Sequence, residues 1–228
     1  MSDTKTVLII GASRGLGLAL AEEFCRHGRH VVATERGHSE GLAALAARYP
    51  KIINIERIDI TDAASVWALR GKLNGSIDTL FVNAGICKAR DKTSLDVAEG
   101  DFLDLMLTNA LSPMRALEIF ETMVPPEGVI AIMSSEIGSI SHNRGLWDLY
   151  SASKSALNML MKCFAARRPS DPRAMLLVAP GWVRTEMGGP DATYSIHESV
   201  PEIVAMVERS RGQAGLRFVD RYGHELRW

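Results

Sequence analysis

The sequence predicts an α/β fold, a single domain built on a doubly wound parallel sheet with helices on both faces. Three observations lead there. Strand-like and helix-like segments alternate along the 228 residues. The strand-like segments are continuous apolar runs rather than period-two patterns, as strands buried on both faces require. The first of them runs straight into a glycine-rich turn that opens a helix.

The elements follow in order. Thr6–Ile10 (TVLII) is a strand ending at Gly11. Leu16, Leu20 and Phe24 recur at helical spacing across Leu16–Arg26, and Gly28 is the stop. His30–Thr34 is the second strand, and Leu42–Arg48 a short helix closed by Pro50. Ile53–Ile58 is a strand leading to Asp59, and Asp62 caps a helix over Ala63–Lys72. Thr79–Asn83 is the fourth strand. Asp101–Met123 reads as one long helix, with a kink or break near Asn109 imposed by Pro113. Then come a strand (Val129–Ser134), a helix (Tyr150–Ala166), a strand (Ala174–Ala179), a helix (Glu202–Arg209) and a last short strand (Arg217–Val219). Pro190–Pro201 is polar, lacks a core pattern and is expected to be a flexible loop.

Composition narrows the function. Hydrophobic residues make up 46% and charged residues 23%, ordinary for a globular protein with a real core. A formal net charge of −1 offers no electrostatic footprint for nucleic acid or an anionic membrane. Cys25, Cys87 and Cys163 lie far apart without metal-site spacing, so no metal is expected. They read as reduced thiols of a cytoplasmic protein, filling small apolar volumes. The start, MSDTKTVLII, lacks the pattern of a signal peptide, and the apolar runs are too short to span a membrane. Arg167, Arg168 and Arg173 sit where cations complement a helix dipole.

The loop GASRGLG, Gly11–Gly17, gives its glycines separate work. Gly11 turns the chain sharply off the strand, Gly15 lets backbone approach a phosphate, and Gly17 lets the helix pack against the sheet. Ser13, Arg14 and Leu16 complete the loop. The helix N-terminus then offers free N–H groups and a positive dipole end to a pyrophosphate. A tight βα turn without a ligand remains the alternative for the loop alone. Further on, Tyr150 and Lys154 stand four positions apart and stack on one helix face. Alone they are either an exposed polar pair or a phenol with a cation beneath it.

Taken in order, these motifs resemble the short-chain dehydrogenase/reductase family. GASRGLG is similar to its glycine motif, Asp59 with Ile60 to its adenine-side acidic position, and Asn83-Ala84-Gly85 to its NAG motif. Asn109 resembles its helix asparagine, Ser134-Ser135 its serine motif, and Tyr150-Ser151-Ala152-Ser153-Lys154 its YxxxK. Pro180-Gly181-Trp182-Val183-Arg184-Thr185 resembles its nicotinamide-side loop, with Pro180, Gly181, Val183 and Thr185 at cofactor positions. GWVRTEMGG and the short tail ending in Trp228 look like the C-factor and sniffer-type carbonyl reductases, as does the longer loop between Ser135 and Tyr150.

The resemblance implies one Rossmann-type dinucleotide-binding domain over residues 1–228. It implies an oxidoreductase that moves hydride between a nicotinamide cofactor and a carbonyl or secondary-alcohol substrate. Tyr150 is then the acid/base. A free phenol has a pKa near ~10, and lowering it by roughly two to three units needs ~3–4 kcal/mol of preference for phenolate. Lys154, one turn on, is expected to supply that cation and, by the resemblance, to hold the nicotinamide ribose. Ser135, the second serine rather than Ser134, is expected to hydrogen-bond the substrate oxygen. Asn109 is expected to hold a water that links Lys154 to solvent. A non-catalytic NAD(P)-binding sensor on the same scaffold is the alternative.

Glu35, at the end of the second strand, favours NAD, because a carboxylate accepts from ribose hydroxyls and repels a 2′-phosphate. Arg14 and Arg36 favour NADP. The sequence leans to NAD. The substrate loop is expected at about 136–149, with Ser141, His142, Asn143, Arg144 and Trp147 as one wall and Trp182, Met187 and Tyr194 as another. The tryptophans suggest an apolar or aromatic substrate, and Arg144 or His142 is placed to read an anionic group. Residues 186–200, including YSIHESV, are a lid candidate. The helices over Asp101–Met123 and Tyr150–Ala166 are candidates for a homo-oligomer interface.

Overall fold

The computed structural model describes residues 5–228. Seven strands form one sheet: β1 (Thr6–Ile10), β2 (His30–Glu35), β3 (Ile53–Arg57), β4 (Thr79–Val82), β5 (Val129–Met133), β6 (Ala174–Ala179) and β7 (Gly215–Asp220). Their spatial order is β3-β2-β1-β4-β5-β6-β7, and every pairing is parallel. Around them lie α1 (Gly15–Arg26), α2 (Glu40–Arg48), α3 (Ala63–Lys72), α4 (Glu99–Met106), α5 (Ser112–Phe120), α6 (Asp148–Ala166) and α7 (Ile196–Arg209). The winding reverses between β1 and β4, so a crevice opens beyond their carboxyl ends, where such sheets bind ligands.

Alternation along β1 divides the core in two. Leu8 and Ile10 face one layer with Leu69 of α3, Phe120 of α5 and Phe164 of α6. Val7 and Ile9 face the other with Phe24 of α1, Leu42 of α2 and Val204 of α7. Both faces of the sheet are therefore dry, which is why its strands read as unbroken apolar runs.

The segment expected as one long helix is broken at the expected place. Pro113 has no N–H to give the Asn109 carbonyl, so the α-type bond at that step cannot form. The backbone widens into a π turn over Leu107–Leu111, with the Ser112 N–H bonding the Leu107 carbonyl. A 3₁₀ turn, Glu121–Met123, ends the segment.

Three expectations need correction. The helix expected at Glu202 begins at Ile196, so the second part of both the expected loop and the lid candidate is helical. Ser195 and Glu198 form a capping box, and Pro201 near the N-terminus forfeits only the bond that its nitrogen would have given the His197 carbonyl. Cys25 is buried as expected, and burial pushes its thiol up to about 11, but Cys163 is exposed and Cys87 half-buried. Arg167, Arg168 and Arg173 pair with Glu118, Glu121 and Asp171 rather than serving a helix end, because the end of α5 approaches them. Among the described residues no helix is long and apolar enough to cross a membrane.

Candidate active site

The glycine loop closes onto the β4 motif by direct contact. Asn83 Nδ2 donates to the Gly11 carbonyl at 2.7 Å, and a Cβ on Gly11 would lie 2.7 Å from Ala84 Cα. A Cβ on Gly17 would collide with the Gly11 carbonyl oxygen and approach Asn83 Nδ2 to 2.6 Å. Gly15 has φ +55°, and a Cβ there would have Thr185 as its nearest neighbour, at 3.6 Å. The start of α1 has no side-chain cap and no acidic residue in its first turn. Its N–H groups and dipole are left for an anion lying between Gly15 and Thr185, and the residues present fit the pyrophosphate of a dinucleotide.

Asn109 joins three parts of the site. It is fully buried, accepts from the Ile86 N–H at 2.8 Å, and donates to the Ile86 carbonyl at 2.8 Å and to Ser153 Oγ at 3.0 Å. It thereby fixes the chain just after Gly85 against α6. A Cβ on Gly85 would lie 3.3 Å from Asn109 Oδ1 and 3.6 Å from Lys154 Nζ. Lys154 is buried and donates to the Met133 carbonyl at the end of β5, at 2.9 Å. Gly138 must stay small because a Cβ would sit 2.8 Å from Lys154 Cβ. The two serines separate by environment. Ser134 is buried and donates to Asn158 Oδ1 at 2.7 Å, whereas half-buried Ser135 has no side-chain hydrogen bond to a described residue. The second serine is the one left available.

Tyr150 is buried, yet its hydroxyl has no hydrogen-bond partner among the described residues and is not among the sealed polar atoms. Burial raises its pKa above the usual phenol value, Cys87 adds to the rise, and Arg90 opposes it. The expected lowering by Lys154 is not found in the chain alone. Lys154 Nζ lies 5.6 Å from the centre of the Tyr150 ring, and burial brings its own pKa down to about 8.

On the adenosine side, Glu35 is buried and accepts from the Ser39 N–H at 2.8 Å. Arg36 is exposed, and Arg14 reaches Glu186 at 2.6 Å in a pair that is largely exposed on both sides. Thr61 holds the Asp59 carboxyl below its ordinary value by side-chain and backbone hydrogen bonds.

The substrate walls only partly match expectation. Trp147 adopts φ +52° at the start of α6 and turns its ring edge-on to both Tyr150 (6.0 Å) and Trp182 (6.5 Å). Trp182 Nε1 donates to the Gly188 carbonyl, and Met187 is part-exposed nearby. Tyr194 is not a wall: its ring packs against Gly181 and under the Arg221 guanidinium, 3.7 Å from centre to cation. Ser141 bonds the Trp228 carbonyl, Asn143 bonds Ile137, and His142 and Arg144 are exposed. Sequence reasoning missed Arg90, which donates to the Met187 carbonyl and covers the Trp147 ring at 4.6 Å. It also missed Ser153, Asn158 and Cys87. Nothing in the run KARDK marks its arginine as facing inward. Among the described residues no cluster of His, Cys, Asp and Glu could hold a metal.

The profile of the short chain dehydrogenase family matches residues 5–193. The chain belongs to that family. It is an NAD(P)-dependent dehydrogenase/reductase, an oxidoreductase using a nicotinamide cofactor. Its whole length is similar to a short-chain dehydrogenase/reductase from Burkholderia multivorans solved with bound NADP, at 49% identity and TM-score 0.97, covering 99% of this chain and 100% of that one. A carbonyl reductase from Pseudomonas aeruginosa PAO1, in complex with NADP, is 37% identical with TM-score 0.92, covering 99% and 100%. The carbonyl reductase Sniffer of D. melanogaster is 27% identical with TM-score 0.88, again covering 99% and 100%. The resemblance to carbonyl reductases thus extends over the whole chain.

Proposed function

We propose that the protein reduces carbonyl compounds with NADPH, using Tyr150 as proton donor. The observation that carries this is the Tyr150 hydroxyl, unpartnered but not sealed, on the helix that also carries Lys154 and close after the free Ser135. Burial keeps this phenol protonated through the neutral range, which is the state a donor needs. Ser135 gives a second hydrogen bond to the carbonyl oxygen and stabilises the charge that gathers there. Lys154, held by the Met133 carbonyl, carries positive charge beneath the ring through neutral pH and favours proton release when the phenol is called on. Asn109 keeps the Gly85–Ile86 backbone and Ser153 in register with α6, and the relay water expected of it falls to its backbone carbonyl, to which Pro113 has no N–H to give. A bound nicotinamide supplies the hydride that reduces the carbonyl carbon.

The cofactor choice moves from the NAD lean to NADP. Glu35 is buried and gives one oxygen to the Ser39 N–H, so part of its acceptor capacity is already used. Arg14 and Arg36 are exposed on either side of it. Arg14 is held only by an exposed pair with Glu186, which is worth little and easily exchanged for a phosphate. NADP bound to the similar Burkholderia and Pseudomonas proteins supports the same choice.

The rim around Trp147, Trp182, Met187, Ile140 and Leu146 presents apolar surface, which suits an apolar or aromatic substituent. The segment 136–149 serves as substrate loop, and 186–195 as the part of the lid outside α7. Leu103 of α4, Leu111 of the π turn, and Met159 and Leu160 of α6 leave apolar side chains exposed, a face suited to a second copy of the chain.

Titrations with NADPH and NADH, read by energy transfer from tryptophan, test the proposal. At least tenfold tighter NADPH binding, followed by carbonyl-dependent NADPH oxidation, is expected; tighter NADH binding overturns the cofactor assignment.

A further inference from the structure

We infer that Arg90 selects substrates bearing a carboxylate beside the reacting carbonyl, that is, 2-oxo acids with an apolar or aromatic substituent. This rests on the reading of the protein as a carbonyl reductase and names the substrate class for the same site.

Arg90 follows the Asn83-Ala84-Gly85 turn by a few residues, in the loop between β4 and α4. Its backbone path is set by the left-handed residue before it, Ala89, at φ +48°. That is an uncommon conformation for a side chain other than glycine or asparagine, and it persists only where surrounding contacts fix it. The guanidinium lies 4.6 Å above the Trp147 ring and gives one N–H to the Met187 carbonyl. Trp147 in turn stands edge-on to Tyr150. Arg90 is therefore held from two sides, by groups from two other loops, at the mouth of the reaction site.

Neither of those groups carries a charge. Three neighbouring cations have acidic partners: Lys88 pairs with Asp101 and Asp104, Lys92 with Asp96, and Arg14 with Glu186; Arg144 has none among the described residues but is exposed to solvent. Arg90 has no acidic partner among the described residues. A guanidinium has five N–H donors in a planar fork that matches a carboxylate; here one goes to the neutral Met187 carbonyl and another faces the Cys87 thiol, which burial holds in its neutral form. The Trp147 ring beneath the cation and the Met187 carbonyl restrain the guanidinium, so less freedom remains to be lost on binding. Its charge also reaches the phenol, since Arg90 is the cation that opposes the rise in the Tyr150 pKa. The Arg90 charge is thus felt at the phenol that meets the substrate oxygen, and a 2-oxo acid carries its carboxylate on the carbon next to the one reduced. Arg144 and His142, to which the sequence assigned anion reading, are exposed and show no such arrangement.

The reaction balances without a further reactant. Hydride passes to the ketone carbon, Tyr150 gives a proton to its oxygen, and the carboxylate leaves unchanged as part of a 2-hydroxy acid.

The test compares benzoylformate with its methyl ester, using NADPH and the wild type, Arg90→Leu and Arg90→Lys. The wild type is expected to favour the acid. In Arg90→Leu the acid-to-ester ratio of kcat/KM is expected to fall roughly 30-fold, mainly through KM, since a hydrogen-bonded charge pair is lost. Arg90→Lys is expected to recover part of it, keeping the charge without the fork. A ratio unchanged by Arg90→Leu overturns the proposal, as does a wild type that reduces only the ester. Benzoate binding, followed through tryptophan quenching with NADPH bound, is an independent readout. Benzoate is expected to bind the wild type at least about tenfold more tightly than Arg90→Leu, and equal binding also overturns the proposal. If Arg90 discriminates benzoate while no carbonyl is reduced, the reductase reading fails and the anion site stands.

Discussion

Lys154 lies beneath Tyr150, with Nζ 5.6 Å from the ring centre, and is tied to the Met133 carbonyl at 2.9 Å. Both groups are buried, and burial moves their pKa values in opposite directions, raising the phenol and lowering the ammonium to about 8. Each neutral form is favoured. Holding the ammonium charged beside the buried phenol therefore costs the fold stability.

A pH dependence of stability follows from this. Between about pH 8 and 10.5 the unfolded chain keeps the Lys154 proton while the folded chain releases it. The unfolded state then binds more protons, so stability rises with pH across that window. Below it, the buried ammonium costs roughly 3–4 kcal/mol, since each tenfold loss of proton affinity is worth about 1.4 kcal/mol. Tyr150 acts above the window, where the folded state holds its proton longer and stability falls with further rise in pH. In urea denaturation, Lys154→Met is expected to lose the gain between pH 8 and 10 that the wild type has. A parallel gain in the variant would place the source elsewhere.

The glycine loop predicts a contrast between two alanine substitutions. Gly17→Ala drives a methyl into the Gly11 carbonyl and the Asn83 amide. It is expected to cost about 2–4 kcal/mol, beyond the usual overpacking range because both neighbours are backbone-anchored, and to abolish NADPH binding. Gly28→Ala meets nothing within 4 Å and carries only the strain of its left-handed φ, about 1 kcal/mol. Equal losses of stability would contradict the packing assigned to Gly17.

Asn109→Ala orphans the Ile86 N–H and the Ile86 carbonyl and leaves the Ser153 hydroxyl only its bond to the Tyr150 carbonyl. A loss of about 2–4 kcal/mol is expected, because unsatisfied buried polar groups cost more than the bonds gain. Thermal melts with and without NADPH check it. A variant within 0.5 kcal/mol of the wild type, on the order of a neutral surface change, would show that the bridge is not structural.

Arg14→Ala and Arg36→Ala are each expected to lower kcat/KM for NADPH by roughly tenfold, the value of one charge-assisted contact, with little effect on NADH. Steady-state kinetics with both cofactors decide the matter. Equal losses on NADPH and NADH would mean that these arginines do not meet the 2′-phosphate.

How much of this was legible depends on the kind of signal. The buried strands were readable because both faces are dry, so TVLII and AMLLVA needed no partner to be recognised. The break at Asn109 was readable because Pro113 acts locally. The start of α7 was not read, since Pro190–Pro201 is polar and shows no core pattern, although the capping box Ser195–Glu198 was present in the sequence. The availability of Ser135 and the occupation of Ser134 by Asn158 depend on a residue 24 positions away. The place of Arg90 depends on loops that meet only in the folded chain. The phenol's pKa was misjudged for a related reason: spacing put Lys154 one turn away, but burial, which spacing does not report, dominates both groups.

The central claim is that Tyr150 gives the proton, and Tyr150→Phe tests it most directly. Phenylalanine keeps the ring that packs against Trp147 and removes only the unpartnered hydroxyl. Carbonyl reduction by the variant is to be measured beside NADPH affinity from tryptophan energy transfer. The account predicts a fall in kcat of roughly 10²–10⁴, the worth of a positioned proton donor, with NADPH affinity within about threefold of the wild type. Reduction at close to the wild-type rate, with the cofactor still bound, would contradict it.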